Sequence, residues 1–129
     1  MTATHPRYSR QTLFEPIGTS GQAQLTQAHA VILCCGALGS VSASTLVRAG
    51  VGRVTIIDRD FVEESNLQRQ VLFDEADARD MVPKAVAAER RLARINSTIE
   101  VRGIVADVNH ANIEAFVADA DVVLDGTDN

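Results

Sequence analysis

The chain has 129 residues, an apolar fraction of 46%, a charged fraction of 22% and a formal net charge of −5 at neutral pH. That is enough for one domain with its own core, and an acid excess without any lysine or arginine block argues against a nucleic-acid surface. No apolar run approaches the ~18 residues of a membrane-spanning helix, and the N-terminal MTATHPRYSRQ lacks an apolar leader segment.

Residues 1 to 16 read as an arm, followed by a helix over about 20–27. The apolar run HAVILCC is short enough for a buried parallel strand at about 30–35. It enters Gly36-Ala37-Leu38-Gly39, after which small residues on several faces indicate a helix over about 38–49, stopped by Gly50. A β-branched run predicts a second strand at 53–58, and 59–80 reads mostly as loop with a short helical turn near Asn66. The next helix is expected over 82–95, with Ala85, Ala88, Leu92 and Ile95 as its apolar stripe. A third strand follows at about 99–105, a helix over about 111–118 with Asn109 as N-cap, and a fourth strand at 121–125. Alternating strands and helices predict an α/β, Rossmann-like doubly wound fold, with a mainly parallel sheet in the order 3-2-1-4.

Such a fold binds ligands outside the carboxyl ends of its strands. The Gly36 loop, Asp58 and Asp128 all follow strand ends there. Asp58 lies about 20 residues past Gly39, the interval of an acid that accepts ribose hydroxyls. The glycine pattern itself departs from G-x-G-x-x-G, because Cys34 holds its first position. Asn66 and Arg69 share one short segment, so both can reach one ligand, the arginine with a fork of donors for phosphate oxygens. An ion pair of Arg69 with Asp58, Asp60 or Asp128 is the alternative. Lys84 opens a helix, where a cation opposes the helix dipole at a cost of about 0.3–1 kcal/mol. A polyphosphate between lysine and helix end would offset that, although position alone leaves a solvated surface lysine equally open.

Motifs along the whole chain resemble the ThiF/MoeB/HesA family, adenylyltransferases related to ubiquitin-activating enzymes. Arg7-Tyr8-Ser9-Arg10-Gln11 resembles its R-Y-x-R-Q, and Ala49-Gly50-Val51-Gly52 its A-G-V-G. Asp58-x-Asp60 with Ser65-Asn66-Leu67-Gln68-Arg69-Gln70 resembles D-x-D…S-N-L-x-R-Q. Pro83-Lys84 and Arg94-Ile95-Asn96 resemble P-K…I-N-P, with Ser97 for the proline, and Asp125-Gly126-Thr127-Asp128-Asn129 resembles D-x-T-D-N. Two of the glycines in the family's G-x-G-G-x-G loop are replaced here by Cys34 and Ala37.

The resemblance implies an ATP-dependent adenylyltransferase that activates the C-terminal carboxylate of a small ubiquitin-like sulfur-carrier protein as an acyl-adenylate. It implies Arg10, Arg69, Lys84 and Asp128 as catalytic residues, with Mg2+ on Asp128. Gly36, Ala37, Gly39, Asp58, Asp60, Ser65, Asn66, Gln70 and Asn129 would contact the nucleotide. It further implies a homodimer in which Arg10 crosses to the neighbouring subunit's triphosphate. Since the family continues for about as long again, with a paired C-x-x-C zinc site, the chain reads as an N-terminal part of a longer protein. An NAD-dependent oxidoreductase, a non-catalytic scaffold of the same fold, and a relative that adenylates a small molecule, peptide or modified tRNA base are the alternatives. Cys34 and Cys35 stand adjacent at a strand end, poor geometry for a disulfide, which suits a reducing, cytoplasmic location. Both are expected to act as small buried hydrophobes, Cys34 pointing into the core with negative φ.

Overall fold

The computed structural model describes residues 5–127, so Asp128 and Asn129 and the roles expected of them lie outside the described residues. The elements run α1 (Ser9–Thr12), α2 (Gly18–Gln27), β1 (His29–Leu33), α3 (Ala37–Ala49), β2 (Arg53–Asp58), α4 (Glu75–Arg79), α5 (Lys84–Ile95), β3 (Glu100–Val105), α6 (Ile113–Val117) and β4 (Val122–Asp125). Short 3-10 turns cover Pro6–Tyr8 and Glu64–Asn66, the second being the turn expected near Asn66.

The strands form one four-stranded sheet in the order β3-β2-β1-β4, and every pairing is parallel. Register sets Leu33 beside Ile57 and Asp125, and Asp58 beside Val105, so all carboxyl ends emerge on one edge. The chain steps outward from β1 to β2 to β3 and then places β4 on the opposite side of β1. The crevice between β1 and β4 is therefore the topological switch point, where such sheets bind ligands.

Both faces of the inner strands are covered, which is why β1 is buried along its whole length and β2 from Val54 on, while β4 at the edge is mostly exposed. Ala30 and Ile32 join Ala43, Val47, Val54, Ile56, Ala87, Ala88 and Leu92 in the larger core. Val31, Leu33 and Ile57 face the other way, against Ile104, Ile113 and Phe116. Small residues let α3 approach closely: Gly39, Ser40 and Ala43 are buried on its inner side. Gly103 does the same for α5, since a Cβ there would meet the Ala85 carbonyl oxygen at 2.1 Å.

Gly50 ends α3 at φ +88°, its N–H and that of Val51 bonding back to Val47 O and Leu46 O. A Cβ on Gly50 would lie 2.5 Å from Tyr8 Cζ, so the arm packs against this turn. Tyr8 Oη accepts from Asn96 Nδ2 at 2.8 Å, and Asn96 also donates to Val47 O at 2.9 Å. Gln11 Nε2 donates to Ala49 O at 2.9 Å and Gln22 Oε1 at 2.5 Å; Arg7 donates to Ile95 O at 3.1 Å. Three side chains of the R-Y-x-R-Q segment thus bond the last carbonyls of α3 and α5 or their capping network, groups a helix leaves unpaired.

Two expectations are corrected here. Asn109 does not cap α6: its Oδ1 accepts from Ala111 N at 2.8 Å and closes the preceding turn, so the helix begins only at Ile113. The stretch 59–80 also holds α4, which has a reciprocal cap in which Asp74 and Asp77 each accept the other's backbone N–H. An Asp-x-x-Asp spacing is a weaker form of the usual Ser/Thr-x-x-Glu box, yet it satisfies the same orphan amides.

Candidate functional site

The turn after β1 is built on a residue in an unusual conformation. Cys34 has φ +72°, so the expectation of a negative φ is overturned. Its carbonyl is the reason. A Cβ on Gly39 would lie 2.1 Å from Cys34 O, and one on Gly126 2.9 Å from it. The chain folds back on itself there, and only glycines leave room for that oxygen. Cys34 is half-buried; it is Cys35, fully buried, that fills the core. Burial pushes the Cys35 thiol up to about 11, so it stays protonated at neutral pH and does not serve as a thiolate nucleophile. Because an L-residue in the left-handed region costs roughly 1–2 kcal/mol, Cys34→Gly is expected to raise stability by about 1 kcal/mol in urea unfolding. An unchanged or lower midpoint would mean that the thiol contacts outweigh the strain.

Past this turn, Gly36 opens α3 without a side-chain cap, and the first helical hydrogen bond runs from Ser40 N to Gly36 O at 3.0 Å. The amides of Ala37, Leu38 and Gly39 have no carbonyl within the helix to bond, which makes this end a receptor for an anion.

Asp58 closes the same loop. Its Oδ2 accepts from Cys35 N and its Oδ1 from Asp60 N, both at 2.7 Å, and the residue is 4% exposed. One carboxylate thus ties the end of β2 to the turn after β1. Asp60 is the exposed acid of the pair, with Arg59 Nε at 3.8 Å; Arg59 also reaches Asp107 at 3.3 Å. The ion pair expected as an alternative for Arg69 does not form with Asp58 or Asp60. Arg69 is exposed and donates to Ser65 O at 3.1 Å. Asn66 is buried, its Oδ1 accepting from Glu63 N at 2.8 Å, which fixes the segment that carries Ser65 and Arg69.

Lys84 joins the site through its backbone, donating from N to Asp60 O at 2.9 Å, while Val62 N bonds Val82 O beside it. Its side chain is only 7% exposed and has no ion pair or hydrogen bond with any described residue. The nearby charges of Asp58 and Lys84 act on the Cys35 thiol in opposite directions and less than its burial does. The Gln70 amide lies by the turn after β1, its Nε2 3.8 Å from where a Cβ on Gly36 would stand. Gly36, Ala37, Gly39, Asp58, Asp60, Gln70 and Lys84 therefore come together at the carboxyl edge of the sheet. Arg10 does not: it is exposed on the arm, which is held at the opposite end of α3.

A turn that leaves the first α3 amides unbonded within the helix, an acid at the next strand end and a buried lysine without a counter-ion among the described residues mark the carboxyl edge of a doubly wound sheet, the edge at which that fold class binds its ligands. The family model described as "ThiF family" matches residues 8–129, and the chain belongs to that family. Over 123 residues it is 58% identical to the sulfur carrier protein ThiS adenylyltransferase of Bacillus subtilis, covering 95% of this chain and 37% of that protein. Identity to the Escherichia coli protein of the same description is 40% over 123 residues, covering 95% of this chain and 48% of that one. The chain thus spans less than half the length of these relatives. Among solved structures, E. coli MccB with ATP superposes with a TM-score of 0.81 at 35% identity, covering 93% of this chain and 37% of that one.

Among the described residues, no helix is long and apolar enough to cross a membrane. Not legible in the sequence were the anchoring residues Gln22, which donates to Ala49 O, and Thr98, whose hydroxyl meets Tyr8 Oη at 3.1 Å, partners that lie far along the chain. No local pattern signals such pairings.

Proposed function

We propose that this chain is the nucleotide-binding part of an ATP-dependent adenylyltransferase that activates the C-terminal carboxylate of a ubiquitin-like sulfur-carrier protein. The observation that carries the reading is Lys84, a buried cation without a carboxylate partner among the described residues, on a helix whose first amide bonds Asp60 O at 2.9 Å in the loop after β2. Buried charges are paired or wait for a charged ligand, and a triphosphate is the anion that suits this cluster. Identity of 58% to an adenylyltransferase acting on ThiS favours a carrier protein over a small molecule or peptide.

In this reaction a carboxylate oxygen attacks the α-phosphorus, the bond to the bridging oxygen breaks, and pyrophosphate leaves. The chain's part is to position the triphosphate and to neutralise charge that builds on it. Lys84 and Arg69 supply cations, the α3 amides supply donors, and Asp60, Ser65 and Asn66 complete the nucleoside side. Arg10 enters from a second copy in a homodimer. Mg2+ would be held by Asp128 and phosphate oxygens. Asn129 lies next to that acid and would contact the nucleotide. Two unbridged cysteines suit the reducing cytoplasm, where such a reaction would take place.

Calorimetric titration of the intact protein with ATP plus magnesium and, separately, with NAD tests the reading. ATP is expected to bind and NAD not, because cations flank the expected polyphosphate position. NAD binding without ATP binding would transfer the protein to the oxidoreductases.

A further inference from the structure

Between α4 and α5 lies a cleft of about 520 Å³, a volume in the range of ligand-binding sites. Leu72 and Ala87, both buried, and Ala76 supply its apolar lining, and Arg90, Arg91 and Arg94 line it from α5. With Ala87 these arginines stand at i, i+3, i+4 and i+7, one face of the helix. Among the described residues, none of the three arginines has an ion pair or a side-chain hydrogen bond. Asp74 and Asp77 also line the cleft, but their carboxylates are engaged in the cap of α4, each accepting the other's backbone N–H. The bond from Asp77 N is the main reason the Asp74 carboxyl titrates below its ordinary range, and the charge of Arg91 adds the least.

This arrangement is unfavourable in the free chain. Arg90 with Arg94, and Arg91 with Arg94, are like charges at i,i+4 and i,i+3, which destabilise a helix. The helix dipole compensates Arg94, in the last turn, but has faded by Arg90 and Arg91. Glu89, the one acid on α5, is turned to β3, accepting from Gly103 N at 3.3 Å. Arg7 adds a further cation at the end of the same helix, donating to Ile95 O at 3.1 Å. Acids outnumber lysine and arginine 17 to 12 in the chain, yet none of them neutralises this face. An anionic partner would. A bare polyphosphate or a nucleic acid fits poorly, because two carboxylates share the cleft and part of its lining is apolar. A peptide supplies both charge and an apolar side chain. We propose that the cleft between α4 and α5 docks a segment of a partner protein in which acidic residues flank an apolar one. The acids lie on Arg90, Arg91 and Arg94, and the apolar side chain lies on Leu72, Ala76 and Ala87. Arg94 stands about 15 Å along α5 from Lys84, at 1.5 Å per residue, so this segment and a nucleotide at the carboxyl edge use different ends of the helix. The inference does not depend on the ATP reading.

The test uses the intact protein and, as probes, short fluorescein-labelled peptides of glutamate with leucine placed at successive positions, followed by anisotropy. Wild type is expected to bind at least one of them at low salt and to release it as salt is raised. Replacing glutamate by glutamine, or leucine by serine, in that peptide is expected to weaken binding severalfold. Arg91→Glu together with Arg94→Glu is expected to weaken it about tenfold, since exposed charge pairs contribute modestly and add. Both arginines are exposed, so the thermal midpoint should hold. Lys84→Met is expected to bind the peptide as wild type does. No binding of any peptide by wild type overturns the inference, and so does equal binding of the glutamate and glutamine forms, whether or not the arginine variant folds. Binding lost in Lys84→Met but kept in the arginine variant overturns it by placing the peptide at the carboxyl edge. Tripolyphosphate that binds wild type as tightly as the peptide, and not the arginine variant, overturns it in favour of a plain anion site. A dimer seen by analytical ultracentrifugation and dissolved by the arginine substitutions overturns it in favour of a second copy of the chain.

Discussion

Lys84→Met is expected to lower ATP–pyrophosphate exchange by about 10²–10³-fold, the usual loss when one positioned transition-state group is removed. The fold should survive the change. Lys84 is 7% exposed, so its stem already lies among packed atoms that a methionine of similar length can replace. Its ammonium has no partner among the described residues, and it opens a 12-residue helix whose dipole disfavours a cation. Removing it therefore costs the free protein little, and the midpoint of thermal unfolding should stay level or rise. Exchange assays and a melting curve on the same preparation check both halves. An exchange rate near wild type would make Lys84 a structural lysine and remove the main support for a triphosphate beside it.

The opposing behaviour expected of stability and activity also explains what could be read from the sequence. Strands such as Val54–Ile57 are continuous β-branched runs because both faces are buried, and that burial leaves its mark residue by residue. The order of strands followed from the alternation of elements and the handedness of crossovers. The positions of Gly36, Asp58 and Lys84 followed from their places at strand and helix ends. What the sequence withheld depends on contacts between distant segments. The positive φ of Cys34 comes from its carbonyl being wedged between Gly39 and Gly126, and no local pattern encodes that wedge. The tyrosine of the arm fills the space over Gly50, which reads in isolation only as a helix stop. Asp58 met the expected spacing, yet its two oxygens bond backbone amides, so spacing placed the residue without stating its partners.

Mixing an Arg10→Ala subunit with a Lys84→Met subunit is expected to restore exchange activity that neither variant has alone. The geometry of the arm requires this if Arg10 serves the reaction. Arg7, Tyr8 and Gln11 are tied to the carboxyl ends of α3 and α5, through Ile95 O, Asn96 and Ala49 O. The turn after β1, proposed to hold the phosphates, lies at the other end of α3, 13 residues away, or about 20 Å at 1.5 Å per residue. Arg10 stands between two anchored residues and is exposed. It cannot cross that distance within its own chain without breaking the buried Tyr8–Asn96 contact. A second copy, related by twofold symmetry, can bring its own arm to the turn. In a mixed dimer one site then holds both intact residues and the other holds neither. Random pairing of equal amounts predicts about one quarter of wild-type exchange activity, the share of intact sites among all sites. Subunit exchange is verified by native mass spectrometry before the assay. Mixed dimers without recovered activity would mean that Arg10 has no part in the neighbouring site, and the exposed arginine would then belong to the solvent-facing side of an arm whose only task is to clamp the two helices.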